Sequence, residues 1–245
     1  MVNPDAPLFQ ACNDHPIERI SRFVDYYLKP LVHKTAPFIK DITHFLNKLD
    51  QLGHLPCNAI LVTLDVSSLY TNIQHNEGID AYRRYLNTHD QPTSTVRTET
   101  LCDLIRMILT MNRFYFNNTF YIQTHGTAMG TRMAPLYANL LLAKFETDAL
   151  SHAPHQPHNW CYFIDDIFMI WTHTEDELRT FITYLNNIHH TITFTSSYST
   201  TSTSFLDVKA SLDKFIYREV SVVVIETNVS VIDKKDTWIS QRTWN

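Results

Sequence analysis

Two adjacent carboxylates, Asp165 and Asp166, stand in the middle of an apolar run from Cys161 to Trp171. The flanking residues are aromatic or β-branched, which predicts a strand, a turn on the two aspartates and a second strand. Two charges held side by side among apolar residues repel each other and resist desolvation, so a divalent metal ion would offset them. A surface turn with two solvated aspartates explains the pair equally well when the pair is taken alone.

A third carboxylate follows a second apolar run. Residues 59–64 are almost continuously apolar, which is typical of a strand covered on both faces, and Asp65 comes next. If this strand neighbours the hairpin, three carboxylates converge, and oxygen-rich clusters of this kind hold Mg²⁺. Two such ions, roughly 4 Å apart, can activate a hydroxyl nucleophile and stabilise the leaving oxygen of a phosphoryl transfer. The alternative is that Asp65 only caps the turn that follows it.

Glycine is scarce, with four residues in the whole chain, and Gly126 and Gly130 lie within five residues of each other. In a chain so poor in glycine, this pair marks backbone with special conformational demands.

Elements that could position these residues follow from the hydrophobic spacing. The pattern predicts helices over residues 17–28, 37–52, 76–87, 99–112, 135–150 and 175–188. It predicts strands over residues 59–65, 191–195, 205–212 and 220–226, and hairpins over 114–122 and 161–171. The Ser/Thr-rich residues 198–204 are expected to form a loop. This order of elements indicates an α+β fold with a mostly antiparallel sheet.

The composition sets wider bounds on the class of protein. The 245 residues suit one large domain or two small ones, and 44% apolar residues suffice for a core. A net charge of −5 argues against a surface built throughout for nucleic acid, although a local basic groove is compatible with it. The four cysteines are far apart, as expected for thiols in a reducing compartment. We expect no signal peptide and no membrane-spanning helix.

Four blocks, in this order along the chain, resemble motifs A, B, C and E of reverse transcriptases: residues 64–73, 126–139, 163–166 and 205–207. The wording of the blocks, with LYTNI, GTAMGT and FLD together, is most similar to that of Penelope-like retroelements. The resemblance covers roughly residues 16–212, and four ordered motifs are far more specific than one pair of aspartates.

The resemblance implies roles for the residues around the metals. Asp65 and Asp165 would bind both ions, Asp166 would lie beside them, and the carbonyl of Val66 would face the ion that carries the incoming nucleotide. Tyr70 would lie under the sugar, where its ring would clash with a 2′-hydroxyl and select deoxynucleotides. A core aromatic is the alternative for Tyr70.

The remaining motifs imply contacts with nucleotide and primer. Gly130 would let the backbone approach the nucleotide or template base, with Met129 packing against the base and Asn139 close by. Arg132 could reach a phosphate. For Asn139 and Arg132 the simpler alternative is a solvated surface position. The resemblance also implies a primer grip of Phe205, Leu206 and Asp207, although the first two could equally be core residues.

These expectations combine into one prediction, the core of an RNA-directed DNA polymerase from a retrotransposon. Its fold would be a polymerase palm with partial fingers and a missing thumb. Its cofactor would be two Mg²⁺ ions, with Mn²⁺ as a substitute. Its partners would be an RNA template, a DNA primer and deoxynucleoside triphosphates. The expected divisions are an N-terminal helical segment over 1–57, a palm and fingers core over 58–212 and a divergent tail over 213–245. We expect the protein to be intracellular and nuclear.

Two other functions stay open from the sequence. The family's basic fingers segment has no counterpart upstream of residue 64, which favours a non-catalytic remnant that binds nucleic acid weakly. A different two-metal enzyme, such as a nuclease, would need further groups beside the cluster, for which Asp207 and His125 are candidates. Lys209 is a candidate for the general acid that protonates pyrophosphate, or else a solvated strand lysine.

Overall fold

The computed structural model describes residues 16–32, 35, 37–88 and 96–212. The expected strand 220–226, the tail 213–245 and the first fifteen residues of the expected N-terminal segment lie outside this part. Within the described ranges, no helix combines the length and the hydropathy needed to cross a membrane.

Seven helices and eight strands make up the described part of the chain. The helices are α1 Pro16–Val32, α2 Ile42–Gln51, α3 Leu69–Asn72, α4 His75–Thr88, α5 Thr98–Thr110, α6 Ala134–His152 and α7 Glu175–Asn187. The strands are β1 Ile60–Val66, β2 Arg113–Phe116, β3 Thr119–Ile122, β4 Asn159–Phe163, β5 Asp166–Trp171, β6 Phe194–Ser199, β7 Ser202–Phe205 and β8 Val208–Ser211.

A four-stranded sheet in the order β4-β5-β1-β6 forms the centre, and every pairing in it is antiparallel. Strand β1 lies between β5 and β6. Because both of these strands come much later in the sequence, the connections from β1 to its neighbours are long and contain helices. This confirms the predicted α+β fold with an antiparallel sheet. The hairpins β2-β3 and β7-β8 are separate two-stranded units.

Side chains alternate along β1, and each face of the sheet is covered. On one face Val62, Leu64 and Val66 join a large core built with helices α1, α4, α5, α6 and α7. On the other face Leu61 joins a smaller core that contains Phe45 of α2, Phe168 of β5 and Phe205 of β7. The prediction of a strand buried on both faces is therefore confirmed.

The second face changes character at the end of β1. Thr63 and Asp65 continue the alternation begun by Leu61, and Asp65 is exposed whereas Leu61 is buried. The smaller core therefore stops short of the strand's end and leaves a polar edge, at which Asp65 lies.

Two helix boundaries differ from the predicted ones by more than two residues, the end of α1 and the start of α2. Helix α1 continues through Pro30 to Val32, because a proline this close to the end costs few backbone hydrogen bonds. Helix α2 begins at Ile42 and not near residue 37, since the carboxylate of Asp41 caps it by accepting from the N–H of His44 at 2.8 Å. The residues before it run beside β4, where the N–H of Ile39 donates to the carbonyl of Tyr162.

The expected loop over residues 198–204 is wrong. Residues of this Ser/Thr-rich stretch end β6 and begin β7, and Tyr198 of β6 pairs with Val62 of β1. The pairing satisfies the backbone of serines that have little strand propensity of their own, so tertiary context overrides composition. The predicted strand 191–195 starts only at Phe194, and residues 205–212 form a turn and a strand in place of one continuous strand.

Gly78 makes a close approach that a larger residue would prevent. A Cβ on this residue of α4 would overlap the ring and hydroxyl of Tyr137, whose hydroxyl donates to the carbonyl of His75 at 3.0 Å. Tyr137 is completely buried, so its ring has no free space into which to move.

We therefore predict that Gly78→Ala destabilises the protein, although alanine ordinarily stabilises a helix relative to glycine. Overpacking of about 1–3 kcal/mol corresponds to a melting temperature lower by several degrees. Thermal unfolding followed by circular dichroism measures this. Asn87→Ala, at an exposed position of the same helix, is the control and should not lower the melting temperature. An unchanged or higher value for Gly78→Ala would contradict the close approach to Tyr137.

Candidate active site

Asp65 and Asp166 face each other across two neighbouring strands. In the antiparallel register of β1 and β5 their Cα atoms are direct partners, at the end of a ladder that begins with Ile60 opposite Trp171. Side chains at directly opposed positions lie on the same face of the sheet, with Cβ atoms about 4.5–5.5 Å apart. The structure therefore brings together two carboxylates that lie roughly 100 residues apart in the sequence.

The turn between β4 and β5 is not the predicted Asp-Asp turn. Phe163 pairs with Asp166, so the two turn residues are Ile164 and Asp165, and Asp166 already belongs to the strand. Ile164 has a φ of 57°. Glycine is the usual residue at such a position, and a β-branched residue there stores strain of about 1–3 kcal/mol.

A hydrogen bond fixes this turn against the end of β1. The N–H of Val66 donates to the carbonyl of Asp165 at 3.1 Å. The Val66 side chain is buried in the large core, so its backbone is held from both sides. Asp165 is thus positioned beside Asp65 by main-chain contacts and does not depend on a flexible side-chain reach.

The electrostatics of the cluster disfavour the charged forms of Asp165 and Asp166. Partial burial raises the pKa of Asp165 above its ordinary value, and the charge of Asp65 raises it further. Burial also raises the pKa of Asp166, with added contributions from the charges of Asp165 and Asp65. A cation bound between them would relieve this repulsion, and hard carboxylate oxygens are ligands that Mg²⁺ and Mn²⁺ accept.

Tyr70 lies beside this cluster. It belongs to the short helix α3, which follows β1 directly, and its side chain is partly buried. Burial raises the pKa of Tyr70 to about 12, and the negative charge of Asp165 contributes to the shift. The ring of Tyr70 is therefore partly packed in the fold and also close to Asp165. It has features of both alternatives considered for this residue, the core aromatic and the aromatic beside the metal site.

The loop between β3 and α6 packs against α3 and the residue that begins α4. The N–H of Thr127 donates to the carbonyl of Tyr70 at 2.7 Å, and His75 Nε2 lies 2.8 Å from the carbonyl oxygen of Gly126. Gly126 has a φ of 70°, and a Cβ on it would lie only 2.7 Å from the Thr71 Cα. The first glycine of the predicted pair thus permits contact between two backbone segments.

Helix α1 holds the other end of this loop, a role that sequence patterns did not reveal. The hydroxyl of Ser21, which is completely buried, accepts from the N–H of Met133 at 3.0 Å. Asp25 lies 3.7 Å from the guanidinium of Arg132, and burial raises the pKa of this aspartate. Arg132 is therefore ion-paired within the fold as well as partly exposed.

The residues predicted to contact the nucleotide differ in their exposure to solvent. Met129 is 46% exposed and Gly130 has a φ of 90°, so both stand at the surface of the loop with the expected backbone freedom. Asn139 lies in α6 and is buried, with its Oδ1 lacking a hydrogen-bond partner among the described residues. The alternative of a solvated Asn139 is therefore wrong.

A cleft of about 380 Å³ joins the carboxylates to the hairpin β7-β8. Asp65 and Asp166 line one side, and Phe205 and Leu206 line another. Asp207 is exposed in the turn of that hairpin, where Leu206 has a φ of 52°. The hydroxyl-bearing residues Thr63, Thr195, Ser196, Ser197 and Ser204 complete the polar wall. His125 and Lys209, the other candidates from the sequence, do not line this cleft.

The arrangement therefore offers three carboxylates, a neighbouring aromatic ring, a glycine-bearing loop held by α1 and α3, and a hairpin that lines the cleft. Comparison with known proteins identifies the family. The family model described as reverse transcriptase (RNA-dependent DNA polymerase) matches residues 9–201, so the chain belongs to this family. No curated protein matches it.

Solved polymerases share the fold. The telomerase of Candida tropicalis, in complex with a fragment of telomeric RNA, superposes with a TM-score of 0.63 at 6% identity over 89% of this chain and 38% of that chain. The telomerase of Candida albicans gives 0.61 at 8% identity over 80% and 38%. The BmCPV RNA-dependent RNA polymerase gives 0.56 at 12% identity over 81% and 20%. The chain thus spans less than half the length of these proteins, and the fold is a partial polymerase palm.

Repulsion within the carboxylate cluster predicts a stabilising substitution. Asp165→Asn combined with Asp166→Asn should raise the melting temperature of the metal-free protein at neutral pH by ~2–4 °C, equivalent to about 1 kcal/mol after solvent screening. The pKa values of Asp165 and Asp166 are raised in the folded state, so the destabilisation caused by their charges is absent below the ordinary aspartate pKa. It grows as pH rises above that value and is complete above the raised pKa values. The gain should therefore disappear in acid.

Thermal scans in chelator from acidic to neutral pH measure this dependence. Asp103→Asn combined with Asp176→Asn removes the same charge from two exposed helical positions and serves as the control. A gain of equal size at every pH, or one matched by the control, would show that net charge and not the cluster is responsible.

Proposed function

We propose that this chain is the palm of an RNA-directed DNA polymerase and that Asp65, Asp165 and Asp166 are its catalytic residues. The observation that carries the proposal is the cleft in which Asp65 and Asp166 meet Phe205 and Leu206. Membership of the reverse transcriptase family supports the reaction, nucleotidyl transfer to a primer 3′-hydroxyl.

The proposed cofactor is a pair of Mg²⁺ ions, for which Mn²⁺ can substitute. Such ions, when bound, lower the pKa of the attacking hydroxyl and neutralise charge on the triphosphate. The side chains of Asp65, Asp165 and Asp166 and the carbonyl of Val66 would hold them. The raised pKa values of Asp165 and Asp166 fit this role, since a bound cation would stabilise the charged carboxylates that burial and mutual repulsion destabilise.

The remaining residues would place the substrates. Tyr70, fixed by its burial and close to Asp165, would pack under the sugar of a deoxynucleoside triphosphate and exclude a 2′-hydroxyl. Gly130, with Met129, would bring the loop backbone to the base, and Asn139 would support that loop from α6. The hairpin residues Phe205, Leu206 and Asp207 would hold the end of a DNA primer.

An RNA template is the proposed partner, in line with the two telomerase neighbours, both of which are described in complex with a fragment of telomeric RNA. The motif wording supports a narrower proposal, a Penelope-like retrotransposon as the source and the nucleus as the location. Both follow from the sequence resemblance.

Primer extension on an RNA template with Mg²⁺ tests the reaction directly. Asp165→Asn combined with Asp166→Asn should reduce incorporation by at least about 10³-fold, because metal stabilisation of the transition state contributes several kcal/mol. The control pair Asp103→Asn and Asp176→Asn should extend the primer as the wild type does. Unchanged extension by the first pair would refute the metal assignment.

Other outcomes of the same assay separate the alternative functions. No incorporation by the wild type with Mg²⁺ or Mn²⁺ would favour a non-catalytic remnant. Metal-dependent degradation of a labelled strand without added nucleotides would favour a nuclease.

Tyr70 should determine the choice of sugar. Tyr70→Ala removes the ring that would clash with a 2′-hydroxyl, so we expect ribonucleotide incorporation relative to deoxynucleotide incorporation to rise by ~10-fold or more, equivalent to about 1.4 kcal/mol. Single-nucleotide incorporation with each substrate measures the ratio. Tyr26→Ala, at an exposed position of α1, is the matched control. A ratio that stays at the wild-type value would make Tyr70 a core residue only.

A further inference from the structure

A second group of metal-ligand side chains lies outside the carboxylate cleft. Glu77 of α4 and the consecutive residues His189 and His190, which follow α7, each offer one ligand atom, and these atoms all lie within 4.8 Å of one another. Two imidazole nitrogens and one carboxylate oxygen suit Zn²⁺ and related transition metals, whereas Mg²⁺ prefers oxygen ligands alone.

The contact between Glu77 and His189 has the spacing of two metal ligands. Their Oε2 and Nε2 atoms lie 3.4 Å apart, which makes an ion pair when His189 is protonated, and the Glu77 Oε2 atom is buried and has no conventional hydrogen bond within the described part of the chain. Tetrahedral Zn²⁺ with bonds of about 2.0–2.1 Å separates its ligand atoms by about 3.3–3.4 Å. A nitrogen and an oxygen atom joined by a hydrogen bond ordinarily lie closer together than this.

Both imidazole rings are oriented by neighbouring groups. The ring of His189 stacks on that of His190 with centroids 5.0 Å apart and planes inclined by 21°. The Thr191 hydroxyl lies 3.3 Å from His189 Nδ1, and the Gln74 side-chain amide lies 2.7 Å from His190 Nε2. Partners of this kind fix the tautomer and direction of metal-ligating histidines.

The surroundings leave room for a fourth ligand. A cleft of about 530 Å³ opens beside Glu77 and His189. Lys144 also lines this cleft, but its ammonium group lies 3.2 Å from the carboxylate of Asp148. Three protein ligands and one open position would complete a tetrahedral site.

We propose that Glu77, His189 and His190 form a binding site for Zn²⁺ or a similar first-row transition metal, separate from the catalytic carboxylates. The bound ion would cross-link α4 to the segment that leads into β6. In that segment the carbonyl of Thr193 accepts from the N–H of Ser67, two residues after Asp65, at 2.8 Å. The ion would therefore stabilise the end of the sheet at which the carboxylates lie.

Zn²⁺ titration against a chromophoric chelator tests the proposal without any assay of polymerisation. With excess Mg²⁺ present to occupy the carboxylate cleft, the wild type should bind one Zn²⁺ per chain. His189→Ala combined with His190→Ala should weaken binding by at least ~100-fold, and Gln74→Leu by ~10-fold. His54→Ala combined with His158→Ala, which removes two exposed histidines, should bind as the wild type does.

Thermal unfolding supplies a second readout and guards against misfolding of the histidine variant. Zn²⁺ at about a hundredfold excess over its Kd should raise the wild-type melting temperature by ~5–10 °C. Glu77→Gln, which preserves the side-chain size, should lose most of that rise, and Co²⁺ should give visible d–d absorption only when all three ligands are present. Equal Zn²⁺ binding by the wild type and the histidine variant, or equal loss in the His54 and His158 control, would overturn the proposal.

Discussion

The antiparallel register of β1 against β5 is the constraint on which the site depends. It sets Asp65 opposite Asp166 and places both on the polar end of one sheet face. Because side chains alternate along a strand, a slip of one residue would turn Asp65 toward the large core and put the Leu64 side chain on the opposite face in its place. The apolar residues of β1 and β5, buried on both faces, make such a slip costly, so the core enforces the position of the carboxylates.

This arrangement includes local features that are energetically unfavourable by themselves. Like charges are held next to each other, and Ile164 adopts a backbone conformation better suited to glycine. Leu206 does the same in the hairpin on the other side of the cleft. Such costs persist only where the surrounding structure determines the conformation, and they are commonly found at functional sites. Here the rigid sheet and the hydrogen bond from Val66 to Asp165 supply that support.

Much of the fold could be predicted from the sequence, since its signals are local. The continuous apolar run of β1, the periodic helices and the hairpin predicted over residues 114–122 all depend on neighbouring residues. The exact turn after Phe163 could not be predicted, because its register is set by pairing between strands. The Ser/Thr-rich strands escaped prediction for the same reason: β1 and β8 supply their backbone partners.

The residues of the site also differ in whether a local sequence signal or a long-range contact defines them. The three aspartates were identified from adjacent residues and ordered motifs, and the structure brings them together. The anchoring of Met133 by Ser21 involves residues far apart in the chain and leaves no local pattern. The burial of Asn139 likewise depends on what packs around α6. Glu77 and the two histidines were missed because only helix packing brings α4 to the segment after α7.

The separation of Asp65 from Asp166 also has a consequence for folding. Closing a loop of roughly 100 residues carries a large entropic cost that must be met before β1 and β5 can pair. The unfolded chain therefore has no preassembled carboxylate cluster, and cation affinity at this cleft arises only when the central sheet has formed. Appearance of that affinity during refolding would report completion of the topology, in a way that secondary structure alone does not.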